Sequence, residues 1–252
     1  MSSLSTTLEE TALGRDVAPR RTETLLSPHF DNVEQQSNAS ILGMWFFLST
    51  EIMFFSGLIA AYTIYRALSP EAFRLGSQHM HVWLGFFNTL VLLTSSLTMA
   101  LGVRESQLGR RDGVVWYLVA TAVMGAAFLG VKAVEYSMEI EHHLFPGVNF
   151  QVPAEDAEAL AEISATPEEL QTNLGRFQMM FVLYFFITGV HAFHMIIGIV
   201  AVLIMAALMK RNWFSGNGTT QIEVLGLYWH FVDVVWVFLY PLLYLIDLSG
   251  GH

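Results

Sequence analysis

The sequence predicts an all-α, polytopic membrane bundle with five transmembrane helices, and two observations carry the prediction. The composition, 54% hydrophobic and 13% charged over 252 residues, lies outside the balance of soluble domains. Runs of roughly 20 apolar residues, the length that crosses about 30 Å of hydrocarbon, recur in series at 41–65, 82–103, 114–137, 178–209 and 224–247. A soluble protein with buried helices imitates one such run by chance, but not five in succession.

Residues 1–40 lack the apolar stretch of a secretory signal and read as a polar, largely flexible tail with a docking segment around Leu25 to Phe30. The membrane domain is expected over 41–252. Its connections are the turn-forming "RALSPEAFRLGSQ", "RESQLGRRDG" and "KRNWFSGNGTTQ" and an acidic insertion at about 138–176. The fourth apolar run is long enough to tilt or to project into water.

The formal net charge of -10 is unevenly placed. Between Glu139 and Glu169 there are eight acids and no Lys or Arg. A nucleic-acid partner is not expected. Of the twelve Lys and Arg, eight lie in the tail, the 104–113 loop and the 210–222 loop, against four on the opposite side, Arg66, Arg74, Lys132 and Arg176. The excess puts the N-terminus in the cytoplasm and the C-terminus and insertion outside. There are no cysteines, which excludes disulfides, thiolate metal sites and cysteine nucleophiles.

Every span but the second holds ionisable residues, which are expensive in hydrocarbon without partners. Glu51 lies about ten residues into the first. It is either a neutral acid bonded to a neighbouring helix or a group that handles protons or binds lipid. Lys132 and Glu135 share a face of the third, where Lys132 is near enough to the helix end to snorkel, and an ion pair is expected. His191 and His194 share a face of the fourth with Gly198, a small residue that lets another helix approach. His230 and Asp233 are one turn apart in the fifth.

Three membrane histidines and two carboxylates raise the question of a di-iron site, or of a bis-histidine haem formed by His230 with His191 or His194. Histidines three residues apart cannot ligate opposite faces of one haem, and the other pairings need helix approaches that spacing does not supply. Interhelical hydrogen bonds or lipid-headgroup contacts are the expected use. No phosphate-binding glycine loop, Gly-x-Ser-x-Gly elbow or His-Glu-x-x-His motif is present.

The segments "STEIMFFSGL", "FFNTLVLLTSSLTM", "KAVEYS", "GVHAFHMIIG" and "YWHFVDVVWVFLYPLLYL" closely resemble, in the same order, subunit III of the haem-copper cytochrome c/quinol oxidases. The resemblance covers all five spans. It implies a non-catalytic subunit of a proton-pumping terminal oxidase in the bacterial inner membrane. This chain would bind no metal or cofactor; haem and copper would reside in subunits I and II, its partners, which reduce O2 to water. It further implies phospholipids held in a cleft, and support of proton uptake. The carbodiimide-reactive carboxylate of that family falls on Glu51. The lipid-cleft and interhelical polar positions fall on Glu135, His191, His194, His230 and Asp233, with a basic headgroup contact at Lys210 or Arg211. His230 and Asp233 are then expected to be partners in one polar network.

Longer members of that family have seven spans, whereas this chain matches the last five, so one wall of the cleft is absent or comes from another subunit. The acidic insertion also exceeds the usual short connection. It is expected either to fold over a neighbour or to be solvated, and its acids could in addition meet cytochrome c or another respiratory complex. Subunit III of a quinol oxidase, a nitric-oxide-reductase-associated homologue and a stand-alone b-type cytochrome or di-iron enzyme are the competing readings. Cofactor bound to the isolated chain would distinguish the last.

Overall fold

The computed structural model describes residues 30–147, 150–211, 213 and 219–245. Most of the tail and the "FSGNG" turn lie outside the described residues. Seven helices follow one another among the described residues: α1 (Val33–Leu68), α2 (Pro70–Gln78), α3 (Val82–Gln107), α4 (Arg111–Glu141), α5 (Ala154–Ile163), α6 (Pro167–Lys210) and α7 (Thr219–Tyr244). Five of them, α1, α3, α4, α6 and α7, are long and apolar enough to cross a membrane, as expected.

The helices start where the sequence supplies caps. Asn32 accepts from the Gln35 backbone N–H at 2.7 Å, and the Gln35 side chain accepts from Asp31 N–H at 2.8 Å. As a result α1 begins eight residues before the apolar run. Thr166 and Glu169 reciprocate similarly at the head of α6, behind Pro167 at the first helical position. At 44 residues and 1.5 Å per residue, α6 spans about 66 Å, well beyond the hydrocarbon.

Helix ends are equally specific. Gly109, at φ 74°, closes α3 with Arg110 N–H bonded to Glu105 O at 2.9 Å. His143, at φ 57°, does the same for α4, with Leu144 N–H on Glu139 O at 3.0 Å. The second turn buries Leu144 and leaves His142 at the surface.

Helix α3 packs against α4 and α7, α4 against α6, and α1 lies along α6 and α7. Only Leu48, Phe55 and Tyr62 of α1, spaced by seven, are buried, so most of its girth faces outward. Trp229 at the centre demands close approach: a Cβ on Gly125 would lie 2.8 Å from its ring, and one on Gly198 3.2 Å. The start of α1 meets the start of α7 through Ser37 and Thr220, and Gln107 at the end of α3 meets Glu223. Arg176 near the start of α6 holds the Leu68 carbonyl at the end of α1. Successive spans thus run antiparallel.

The acidic insertion folds onto this chain's own helices. Leu160 of α5 is fully buried, Phe150 packs on Phe177 and Phe181, and Asp156 bonds His79 Nε2 at 2.7 Å. Two of its eight acids, Glu139 and Asp156, are buried, and the other six are exposed.

Candidate functional site

Most of the ionisable side chains that the sequence placed within the spans fall into three separate centres. The first joins α1 to α6: His194 Nε2 lies 3.1 Å from Glu51 Oε2, His194 Nδ1 faces the Val190 carbonyl at 2.9 Å, and Tyr228 of α7 donates to the His194 carbonyl at 2.9 Å. Phe55 packs edge-on against the His194 ring. Beside the pair, α1 and α7 enclose an apolar groove of about 330 Å³ lined by Ile52, Phe55, Ile59, Phe231 and Phe238.

The second centre surrounds Lys132. Its ammonium donates to Glu135 Oε2 at 3.0 Å, Tyr184 Oη at 3.1 Å and Tyr244 Oη at 2.8 Å, using all three N–H bonds. Both tyrosines in turn donate to Glu135 Oε1, at 2.9 and 2.6 Å. The rings of Tyr136, Tyr184, Trp236 and Tyr244 lie within 5.5 Å of the ammonium and form an aromatic cage. The expected ion pair is present. Lys132 does not snorkel, because it is only 4% exposed and its partners sit inside the bundle.

The third centre ties α3 to α7. His230 Nδ1 meets Ser96 Oγ at 2.7 Å, and Trp229 Nε1 donates to Ser95 Oγ at 3.1 Å. Asp233 is buried, yet neither of its oxygens has a hydrogen-bond partner among the described residues. His230 and Asp233 make no direct hydrogen bond to each other, but Ser96 of α3, which meets His230, also lies against the Asp233 carboxyl. One turn apart on a helix brings two side chains near, but here His230 is spent on the neighbouring α3.

The residues expected at a lipid cleft or between helices are thus distributed over separate places. Both ring nitrogens of His191 lack hydrogen-bond partners among the described residues, and the ring is packed against Phe128 and against Trp236 of the Lys132 cage. Lys210 and Arg211 are exposed at the end of α6, about 24 Å along the helix from His194. Among the described residues, no three His, Asp or Glu side chains gather as a metal site. Tyr184, Tyr244, Ser96 and Glu139 were not singled out beforehand. Glu139 had a legible signal, since Lys132, Glu135 and Glu139 form one stripe at helical spacing.

These features define a multi-pass membrane protein whose polar side chains are spent mainly on joining helices. A family model, "Cytochrome c oxidase subunit III", matches residues 1–145 and 177–247, and the chain belongs to that family. The match omits 146–176, the stretch that contains α5. The chain is 29% identical to cytochrome c oxidase subunit 3 of Corynebacterium diphtheriae, over 91% of this chain and 95% of the relative. It is 28% identical to quinol oxidase subunit 3 of Bacillus subtilis, over 84% and 89%. Cytochrome bo(3) ubiquinol oxidase subunit 3 of Pseudomonas putida is 27% identical over 83% and 86%. The chain is accordingly a subunit III of the haem-copper oxidase family, part of an oxidase complex.

Proposed function

We propose that this chain is the non-catalytic subunit III of a proton-pumping terminal oxidase, packed against subunits I and II, which hold the haem and copper and reduce O2 to water. The observation that carries the reading is the family match through all five spans. The eight-to-four distribution of Lys and Arg supports a cytoplasmic N-terminus and a periplasmic C-terminus in the bacterial inner membrane. The groove between α1 and α7, beside Glu51, is apolar enough for acyl chains. The exposed Lys210 and Arg211 suit a phosphate headgroup at the cytoplasmic surface. Glu51, with His194, supports proton uptake from within this subunit, and Glu135, His191, His230 and Asp233 keep the bundle in register.

Cytochrome c is the proposed electron donor. Quinol is the second reading, because relatives named for each donor are almost equally similar. Purification through a tag on this chain tests both points. The co-purified complex should carry haem and copper and consume O2 with reduced cytochrome c. Oxidation of quinol alone would select the second reading. A Soret band that stays with this chain after subunits I and II are removed would overturn the non-catalytic assignment.

A further inference from the structure

Between the end of α4, the end of α2 and the insertion there is an open cleft of about 670 Å³, lined by His79, His81, His142, Gln151, Pro153 and Glu139. Glu139 is 2% exposed, and its Oε2 has no hydrogen-bond partner among the described residues. It lies one turn from Glu135 and two from Lys132 on the same stripe of α4. We propose that this cleft is a proton well, through which Glu139 exchanges a proton with the aqueous face that carries the acidic insertion.

Stoichiometry within the cluster leads to this assignment. Lys132 and Glu135 neutralise each other, and their hydrogen bonds to one another and to Tyr184 and Tyr244 are complete. Glu139 is a second carboxyl beside an already balanced pair. It is the group that can gain or lose a proton without breaking that pair. An ionised carboxylate so deeply buried is costly unless paired, and no cation is left over for it in the cluster.

The remaining ionisable neighbours lie on the water side. His79 and His81 line the cleft from the end of α2, and His142 lines it from the turn that ends α4. His79 is held by Asp156 of α5, which fixes that part of the insertion over the opening. Imidazoles are suited to pass protons at neutral pH. A proton entering from water would move by way of an imidazole to Glu139 Oε2, and it would return by the same route. The step needs no co-reactant.

The test uses the intact complex in proteoliposomes of defined orientation, with a membrane-impermeant, water-soluble carbodiimide and an amine trap, which modify protonated carboxyls. Applied on the insertion side, the reagent should modify Glu139, read by peptide mass mapping. Modification of Glu155 and Glu158 without Glu139, or of Glu139 only from the opposite side, would overturn the proposal. In infrared difference spectra, a carboxylic C=O band should follow the pH of the insertion side alone and be lost in Glu139→Gln. A band that follows the other side, or that persists in the variant, would also overturn it. The labelling of the unmodified protein stands even if the variant does not assemble. Because neither readout is oxygen consumption, the inference can fail while the proposed role in a terminal oxidase stands.

Discussion

His194 holds Glu51 Oε2 at 3.1 Å through Nε2 and meets the Val190 carbonyl at 2.9 Å through Nδ1. A carbonyl only accepts, so Nδ1 carries a hydrogen. Nε2 then either accepts a hydrogen bond from a neutral glutamic acid or donates as an imidazolium to a carboxylate. In both cases the pair is neutral overall and shares one proton. That arrangement makes a carboxyl tolerable between α1 and α6.

The first prediction concerns this pair. Glu51→Gln keeps a donor for His194 and should leave assembly and the haem spectra of the complex unchanged, while carbodiimide labelling at this position disappears. Glu51→Ala leaves Nε2 without its partner and should cost about 1–3 kcal/mol of stability, read as a shorter active lifetime during turnover. Immediate, complete loss of O2 reduction in an assembled Glu51→Gln complex would contradict a supporting role.

Lys132 offers a sharper energetic test. Lys132→Met leaves Glu135 as a buried charge without its cation, at a cost of about 3–5 kcal/mol. Lys132→Met combined with Glu135→Gln removes the charge and still presents an acceptor to Tyr184 and Tyr244. The double variant should therefore unfold in detergent at a higher denaturant concentration than the single one. Equal losses in both would show that the aromatic cage, not the ion pair, holds α4 to α6 and α7.

The membrane helices were legible because apolar run length is a direct readout of hydrocarbon thickness, and only their ends moved. Asn32 with Gln35 and Thr166 with Glu169 extended α1 and α6, and both follow sequence patterns that signal helix starts. The pairing of polar residues was less legible. Spacing along one helix correctly brings Lys132 to Glu135, but it cannot report that His230 turns to Ser96 or that Glu51 meets His194, 143 positions away. Those choices depend on which helices are neighbours. The placement of α5 was likewise hidden, because its docking rests on tertiary contacts of Leu160 and Asp156.

Gly125 tests the packing at the centre of the bundle. A methyl group there meets the Trp229 ring at 2.8 Å and Ile199 at 3.1 Å. Gly125→Ala should destabilise the chain by about 1–3 kcal/mol. Trp229→Phe in the same chain should recover part of that loss, since it shortens the clashing ring. Thermal unfolding of the two variants in detergent measures both effects, and additive losses would mean that the helices had moved apart instead.

One short helix, α5, carries both the exposed acids that would steer a donor and the buried acid that packs the insertion. Glu155, Glu158 and Glu162 are exposed, whereas Asp156 is buried against His79. On α5, the first three project their field into water towards an arriving donor. At physiological salt that field decays over about 8 Å, so its effect belongs to the encounter rate and should fade as salt rises. Replacing the three with glutamine while keeping Asp156 should leave assembly intact and slow second-order oxidation of cytochrome c at low salt, with convergence on the parent at high salt. Asp156→Asn should have the complementary effect: little change in the salt dependence, but faster proteolytic cleavage around α5 once its bond to His79 is weakened. Parallel salt curves for the triple variant would remove donor recruitment from the insertion and leave the packing of α5 over the ends of α2 and α6 as its purpose.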